Sequence, residues 1–98
     1  MEDLVIKNVP EQHRFEINLG DGFAFIEYTM HKKDMVILHT YVPDTHRGQG
    51  IAGKMIKQVL DYARDHKIPL IVYCPAVSKY IETHPEYQDL LDKDYMRN

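Results

Sequence analysis

Apolar and polar residues alternate through the first half of the chain, and this pattern predicts β-strands. In the segment 14–19, every second position from Phe15 to Leu19 is apolar, which is the period of a half-buried strand. The segments 23–30 and 35–42 are rich in aromatic and branched residues, and short polar turns separate all three segments. Three strands joined by short turns predict an antiparallel meander.

A different period begins after residue 50 and predicts an amphipathic helix. Apolar residues recur there at steps of three and four, at Ala52, Met55, Ile56, Val59, Leu60 and Ala63. Polar and charged residues occupy most of the other positions, so one side of the helix is expected to be buried. The helix is predicted to end near His66-Lys67, before Pro69.

The remaining segments complete an alternation of strand and helix. The apolar run 70–74 suits a strand buried on both faces, and Pro75 suits the first turn of a second helix, which should stop at His84-Pro85. A strand that leads through a helix to a buried strand is a crossover unit, so the third and fourth strands should be parallel neighbours. The predicted fold class is therefore α/β, loosely α+β: a mixed, mainly antiparallel sheet with two helices packed on it.

Composition limits the classes of protein to which the chain can belong. Its 98 residues predict one domain, 1–98, with one modest core and a monomer as the default state. The net charge of -3 gives no basic footprint for nucleic acid, and the apolar runs are too short to span a membrane. The N-terminus lacks the pattern of a signal peptide and the only cysteine is Cys74, so we expect a cytoplasmic protein. The six histidines lack metal-binding spacings, and no metal site is predicted.

The segment between the third strand and the first helix carries the clearest candidate chemistry. Gly48, Gly50 and Gly53 stand at the helix start, although glycine inside a helix costs about 1 kcal/mol relative to alanine. The first N–H groups of a helix have no intrahelical partner, so a glycine-rich turn there can bind a pyrophosphate. Arg47 adds a positive charge beside it. On spacing alone, phosphate binding and a plain turn with a solvated arginine are equally supported.

Two known phosphate motifs match this segment only in part. Gly48, Gly53 and Lys54 fit the P-loop pattern, but Met55 stands where a hydroxyl group would hold magnesium. The dinucleotide fingerprint is matched in letters by the three glycines. That fingerprint opens the first crossover of a much larger parallel sheet, and this chain is too short to form one.

Four short motifs, in order along the chain, resemble one family of enzymes. They read His39-Thr40-Tyr41-Val42-Pro43, Arg47 to Ala52, Cys74-Pro75-Ala76-Val77, and His84-Pro85-Glu86-Tyr87. The second motif matches the Q/R-x-x-G-x-G/A signature of the GNAT superfamily of acetyl-CoA-dependent N-acetyltransferases. Together the four motifs resemble its small single-domain branch, and the resemblance covers about residues 14–91.

The resemblance implies that acetyl-CoA is the cosubstrate and that the turn 47–54 holds its pyrophosphate. It also implies that the third and fourth strands splay apart to admit the pantetheine arm, which pairs with the backbone at Tyr41 and Val42. Ser78, on the short second helix, is a further candidate for contact with the pantetheine. The cofactor-binding candidates are then Tyr41, Val42, Arg47, Gly48, Gln49, Gly50, Ile51, Ala52, Gly53, Lys54 and Ser78.

Three side chains are candidates for catalysis. The resemblance places Cys74 near the thioester, and a helix N-terminus can favour its nucleophilic thiolate; the alternative is a small buried hydrophobe. His39 could act as a base and shares strand parity with Tyr41 and Ile37, although a structural histidine is the commoner case. Tyr41 could donate a proton. Relatives often carry glutamate where Tyr41 stands, which puts a carboxylate base at that position in doubt, and they often carry an aromatic residue where Ala76 stands.

Two functions remain as alternatives. The first is an enzyme that moves an acetyl group from acetyl-CoA to an amine that the sequence does not identify. The second is a non-catalytic module that binds CoA or acyl-CoA or interacts with another protein, an alternative that the missing carboxylate at Tyr41 keeps open. Turnover with an amine acceptor separates the two.

Overall fold

The computed structural model describes residues 4–93, which form a five-stranded sheet and two α-helices. The strands are β1 (Lys7–Val9), β2 (Arg14–Asn18), β3 (Phe23–His31), β4 (Asp34–Tyr41) and β5 (Leu70–Val72). The helices are α1 (Ile51–Asp65) and α2 (Pro75–Thr83). Among the described residues, no helix has the length and apolar character needed to cross a bilayer, and no group of potential ligands could hold a metal ion.

The sheet order is β1-β2-β3-β4-β5. The first four strands pair antiparallel, and β5 pairs parallel to β4. The predicted fold class and the crossover through α1 are therefore confirmed. The sequence pattern missed β1, and it placed the end of the last strand at Cys74, whereas β5 ends at Val72 and Cys74 is the N-cap residue of α2.

Both helices pack on the same face of the sheet. The buried residues of α1 and α2 belong to one cluster with the inward residues of the strands. The apolar stripe of α1, from Met55 to Ala63, is buried as its period predicts. Side chains of a strand alternate between the two faces. We call the opposite sheet face the outer face; it carries Arg14, Glu16, Phe25, Glu27, His39 and Tyr41.

The segment after α2 is a 3-10 helix, Pro85–Leu90, which is fastened to α1. The hydroxyl group of Tyr87 donates a 2.7 Å hydrogen bond to Oδ1 of Asp61. The guanidinium of Arg64 donates to the carbonyl of Glu86 at 2.6 Å and pairs with Asp89 at 2.9 Å. The motif His84-Pro85-Glu86-Tyr87 thus orders the chain after the second helix.

Candidate functional site

The glycine-rich turn joins the end of β4 to the start of α1. A short 3-10 helix, Asp44–His46, leads into it, and Gly50 is the N-cap residue of α1. Gly48 and Gly50 have φ angles of 83° and 77°. These values lie in the left-handed region, which side chains disfavour, so the path of the turn requires glycine at both positions.

Gly53 lies in the first turn of α1 and has ordinary helical geometry, so conformation does not require glycine there. A Cβ atom at Gly53 would meet no other atom within 4 Å, so packing does not require glycine either. Glycine destabilises a helix by about 1 kcal/mol relative to alanine. Neither packing nor backbone strain explains this residue, whereas the close approach of a ligand to the first turn of the helix would.

The first N–H groups of α1 are available to an anion. The first backbone hydrogen bond that enters the helix runs from Lys54 N–H to the carbonyl of Gly50, at 3.2 Å. The N–H groups of Ile51, Ala52 and Gly53 precede that bond and have no acceptor among the described residues, and no side chain caps this end. The positive end of the helix dipole adds to their attraction for negative charge.

Arg47 is positioned beside this helix end by two contacts. Its Nε donates to the carbonyl of Val42 at 3.2 Å, and its terminal nitrogen pairs with Asp44 at 2.8 Å. Both side chains of the pair are largely exposed, so the pair contributes little to stability. A phosphate group could therefore replace Asp44 as the partner of Arg47 at small energetic cost.

Apart from Gly53, the predicted cofactor-binding residues of the turn divide between two neighbouring concavities. Val42, Arg47, Gly48, Gly50 and Ala52 line the smaller one, at the helix start. The larger one lies towards the β2–β3 turn and is lined by Leu4, Asn18, Leu19, Gly20, His46, Gln49, Ile51 and Lys54. His46 and Ile51 border both concavities.

His46 is a residue of the site that the sequence analysis did not select. Its Nε2 lies 2.8 Å from Oδ1 of Asp21, which belongs to the β2–β3 turn. The hydrogen bond from His46 lowers the pKa of Asp21 below its ordinary value. This contact joins the 3-10 helix before α1 to a distant turn, a pairing that no local sequence pattern could indicate.

Strands β4 and β5 separate beyond Ile37. Their ladder ends at the pair Ile37–Val72, and one further hydrogen bond runs from Tyr73 N–H to the carbonyl of Ile37, at 2.9 Å. Past this point, Sγ of Cys74 lies 3.2 Å from Oγ1 of Thr40. Cys74 is 3% exposed, so its thiol faces the interior between the two diverging segments.

A bulge in β4 decides where His39 and Tyr41 lie. Glu27 pairs with His39 and Tyr28 pairs with Ile37, so Leu38 is an extra residue without a partner on β3. The bulge reverses the alternation, which makes the predicted shared parity of His39 with Ile37 wrong. Ile37 faces the core, whereas His39 and Tyr41 lie on the outer face. The rings of Tyr41 and Phe25 are 5.1 Å apart on that face.

Ser78 lies apart from the turn residues. It is exposed on α2 and lines a cavity that includes no residue of the turn 47–54. The other lining residues are Val72, Ile81, Glu82, Gln88, Asp89, Leu91 and Lys93. Its backbone N–H donates to the carbonyl of Cys74 at 3.0 Å, as expected one turn into the helix. The structure thus brings Val42 and the residues from Arg47 to Lys54 together around the helix start and places Cys74 between the diverging strands. Ser78 lies on another surface.

Comparisons with known proteins point to one family. The family described as GCN5-related N-acetyltransferase matches residues 14–90. Protein NATD1 of Mus musculus is 33% identical over 78 residues, an alignment that covers 76% of this chain and 71% of that protein. Protein NATD1 of Xenopus tropicalis is also 33% identical, and 72% of it is covered. The solution structure of a GCN5-like protein from Staphylococcus aureus has a TM-score of 0.69 and 30% identity, covering 93% of this chain and 90% of that one.

Proposed function

Since the chain belongs to the GCN5-related N-acetyltransferase family, we propose that it binds acetyl-CoA at the turn 47–54 and transfers the acetyl group to an amine. One observation supports this proposal more strongly than any other. The start of α1 presents three N–H groups without acceptors, on a turn whose glycines leave their approach open. Such a helix start binds phosphate groups well.

The phosphate groups of the cosubstrate would take the place of a helix cap. Their oxygens would accept hydrogen bonds from Ile51, Ala52 and Gly53, at the positive end of the helix dipole. Arg47 would exchange its exposed partner Asp44 for a phosphate oxygen. A guanidinium bonded to phosphate forms stronger, charge-assisted hydrogen bonds than an exposed surface pair does.

The pantetheine arm would follow the gap between the diverging strands. β4 continues from Ile37 to Tyr41 without a ladder to β5, so one edge of its backbone is open to an extended ligand in this stretch. Tyr41 and Val42 lie where the gap meets the turn. The other end of the gap is closed by the hydrogen bond between Tyr73 and Ile37. The thioester would therefore stop near Thr40 and Cys74.

Two chemical routes are open at that position, and the simpler one needs no nucleophile from the protein. An amine held against the thioester can attack its carbonyl carbon directly. Alternatively, the Cys74 thiolate accepts the acetyl group first and passes it on. The intact mass of the protein after incubation with acetyl-CoA distinguishes the two routes. The relay requires an acetyl adduct on Cys74 that an added amine removes, and Cys74→Ala would abolish both the adduct and the transfer.

Thermal unfolding with CoA and with acetyl-CoA tests the proposed binding. A ligand at 100 times its Kd stabilises the folded state by about 2.7 kcal/mol, and each kcal/mol raises Tm by about 4–8 °C in a domain of this size. We expect both ligands to raise the Tm of the natural chain. Gly53→Trp should abolish the shift, since it fills the helix start without introducing backbone strain.

Gly22→Trp is the matched control. Gly22 also has open space around it and an ordinary φ angle, but it lies in the β2–β3 turn and not at the start of α1. This variant should keep the full ligand-induced shift. If neither ligand moves the Tm of the natural chain, the proposed function is wrong. Saturable binding without acetyl transfer to any amine would instead favour the non-catalytic module.

A further inference from the structure

The cavity that Ser78 lines lies between α2 and the segment after it, beside the edge strand β5. Its volume is about 530 Å³. Val72, Ile81 and Leu91 give it an apolar surface, and the first two of these are buried. A cavity of this size, with apolar walls and a few polar groups, is typical of a site for a small molecule. We call it the lateral cavity.

Three polar side chains of the lateral cavity are available to a ligand. They are the Ser78 hydroxyl group, the Glu82 carboxylate and the Gln88 amide, and all three residues are exposed. None of these groups makes a side-chain hydrogen bond or an ion pair within residues 4–93. A negative charge therefore lies next to an apolar surface without a counter-ion from the described part of the chain.

The other charged groups of the lateral cavity, Asp89 and Lys93, are engaged elsewhere. Both carboxylate oxygens of Asp89 accept hydrogen bonds from Arg64, at 2.9 and 3.0 Å. The hydrogen bond from Arg64 lowers the pKa of Asp89 below its ordinary value, and the charge of Lys93 acts in the same direction. Among the described residues of this cavity, Glu82 is thus the carboxylate that remains open to a cationic ligand.

One end of the lateral cavity lies beside the place proposed for the thioester. Val72 is the last residue of β5 in the ladder with β4, where the gap between the two strands begins. Ser78 stands one helical turn after Cys74, and its N–H donates to the Cys74 carbonyl at 3.0 Å. The described lining residues include none from the turn 47–54, so an acceptor and acetyl-CoA would enter from different sides.

The distance from Cys74 to Glu82 sets the length of a ligand that could join them. Residue 82 lies about 12 Å beyond residue 74 along the axis of α2, at about 1.5 Å per residue. Ser78 and Glu82 are four residues apart and therefore share one face of the helix. A saturated chain advances by about 1.25 Å per bond, so a six-carbon diamine has about 9 Å between its nitrogens. An ion pair at one end of such a diamine completes the span.

We propose that the lateral cavity holds the acceptor, and that this acceptor is a linear diamine. Its far ammonium group pairs with Glu82, its carbon chain covers Val72 and Ile81, and its near amine meets the thioester beside Cys74. This inference rests on the proposed function and names the class of its acceptor. Glu82 then determines specificity, because it selects a second positive charge at a fixed distance from the reacting nitrogen.

The transfer step is balanced without a further reactant. The near amine reacts in its neutral form, after its ammonium proton has passed to water. Its nitrogen forms a C–N bond with the carbonyl carbon of the thioester, and the C–S bond breaks. The leaving thiolate takes the proton that the nitrogen loses. The products are the diamine acetylated at one end and CoA as the free thiol, while the far ammonium group is unchanged.

The test uses the natural chain, acetyl-CoA, hexamethylenediamine and hexylamine, with kcat/KM expressed per neutral amino group. We expect the value for the diamine to exceed that for hexylamine about 3- to 5-fold, which is the size expected for one exposed ion pair. Trimethylenediamine should show no such advantage over propylamine, because its nitrogens are only about 5 Å apart.

Glu82→Gln should abolish the preference for the six-carbon diamine and leave kcat/KM for hexylamine unchanged. Glu11→Gln is the matched control. It removes the same charge from the short 3-10 helix after β1, at the opposite edge of the sheet from β5, and should keep the preference. The rise in Tm caused by acetyl-CoA should be the same in both variants and in the natural chain.

Ser78→Tyr tests the cavity itself, since a large side chain there narrows its end beside Cys74. Ser78 is exposed, so the variant should fold. It should lose activity towards the diamines and the monoamines alike, and acetyl-CoA should still raise its Tm. Full activity of this variant would mean that the acceptor does not pass through the lateral cavity.

The outcomes distinguish this inference from the proposal on which it rests. Equal kcat/KM for hexamethylenediamine and hexylamine in the natural chain, or a preference that survives in Glu82→Gln, overturns the inference while the enzyme stands. If acetyl-CoA raises the Tm but none of these amines is acetylated, the inference is wrong and the binding of the cosubstrate stands. If acetyl-CoA does not change the Tm, the proposed function itself is wrong.

Discussion

Arg47 is held by two contacts in a position that suits the phosphate binding proposed for it. Its contact with the Val42 carbonyl fixes its direction, and its ion pair with Asp44 supplies an exposed partner that is easily exchanged. Binding a phosphate group therefore requires little rearrangement of the arginine. The Asp44 carboxylate competes with a phosphate group for the Arg47 guanidinium. The ion pair between Asp44 and Arg47 must break before phosphate binds, so it lowers the affinity for phosphate.

Asp44→Asn should strengthen the binding of acetyl-CoA about 2- to 5-fold. The variant removes the competitor of Arg47 and one negative charge near the phosphate groups, and exposed charges interact by a fraction of a kcal/mol to about 1 kcal/mol. The free energy of unfolding without ligand should change by less than about 0.5 kcal/mol. Isothermal titration calorimetry measures the affinity.

Asp65→Asn provides the comparison, since it removes the same charge from the opposite end of α1. Its affinity for acetyl-CoA should match that of the natural chain. The gain in Asp44→Asn should shrink as the salt concentration rises, because exposed charges are screened over about 10 Å at 0.1 M salt. A gain that persists at 1 M salt would contradict the electrostatic explanation.

Some residues of the candidate site could be predicted from the sequence, and others could not. The glycines were recognisable because three of them at a helix start are unfavourable without a reason. The face on which His39 lies was not, because one unpaired residue, Leu38, reverses the alternation that such predictions assume. His46 escaped notice for a related reason, since its partner Asp21 is distant in sequence.

At the scale of elements, α1 is the part of the structure to which the others are attached. Gln58 accepts a hydrogen bond from Ile6 N–H at 3.0 Å and donates to the carbonyl of Leu4 at 2.6 Å, so its amide substitutes for a neighbouring strand. On another side of α1, Asp61 accepts a hydrogen bond from the Tyr87 hydroxyl group and pairs with Lys57 at 2.8 Å. The segments before β1 and after α2 therefore depend on polar residues of one helix.

Tyr87→Phe should lower the free energy of unfolding by about 1 kcal/mol, since it removes one part-buried hydrogen bond to a charged group. Burial raises the pKa of Asp61, but the hydrogen bonds from Lys57 and Tyr87 outweigh it and hold the pKa below its ordinary value. A lowered pKa stabilises the fold above the unfolded value, about 3.9, and the effect is lost as pH falls.

The deficit of Tyr87→Phe should therefore be full at pH 7 and shrink below about pH 4. Urea unfolding at both pH values measures it. Tyr80→Phe is the control, because the hydroxyl group of Tyr80 makes no hydrogen bond within residues 4–93, while its ring stacks on that of His84 with the centroids 3.9 Å apart. An equal loss in both variants, or a deficit independent of pH, would refute the assignment to Asp61.

The elements themselves were largely predictable, because most have a clear period. The stripe of α1 and the alternation of β2 appear directly in the sequence, and Pro75 marks the start of α2. β1 has only three residues, Lys-Asn-Val, which is too short for a period to show. Its pairing depends on tertiary contacts such as the 2.7 Å hydrogen bond from the Tyr28 hydroxyl to Asn8, and no local pattern encodes those.

On the scale of the whole molecule, one acidic cluster joins the β3–β4 turn to the segment after the last 3-10 helix. The Lys33 ammonium lies 3.5 Å from a carboxylate oxygen of Asp34 and 3.5 Å from one of Asp92. Asp92 N–H donates to the Leu70 carbonyl at 2.8 Å, which extends the sheet edge beside β5. Asp34 is buried, and its Oδ1 is the oxygen that faces Lys33; apart from this 3.5 Å ion pair, Oδ1 makes no hydrogen bond within residues 4–93.

Asp34→Asn should make the chain more stable at pH 7. Burial, followed by the neighbouring Asp92 carboxyl, raises the pKa of Asp34 above its ordinary value. A raised carboxyl pKa contributes stability that is full below the unfolded value and is lost as pH rises through the folded value. The advantage of the variant, measured as the difference in unfolding free energy, should therefore shrink from pH 7 towards pH 4.

Glu82→Gln, which removes an exposed carboxylate from α2, should show no such pH-dependent advantage. A constant difference between Asp34→Asn and the natural chain across this range would mean that Asp34 does not titrate as its surroundings indicate.

Because both helices pack on one face of the sheet, the residues that form the core and the residues exposed to solvent lie on different faces and can evolve separately. The inner face must satisfy the core, where most substitutions lower stability, whereas exposed positions such as Glu27, His39 and Tyr41 tolerate replacement within about 0.5 kcal/mol. Mutations there can accumulate without loss of folding. Under the proposed function, such a domain can change its acceptor amine while its scaffold and the turn at the start of α1 stay the same.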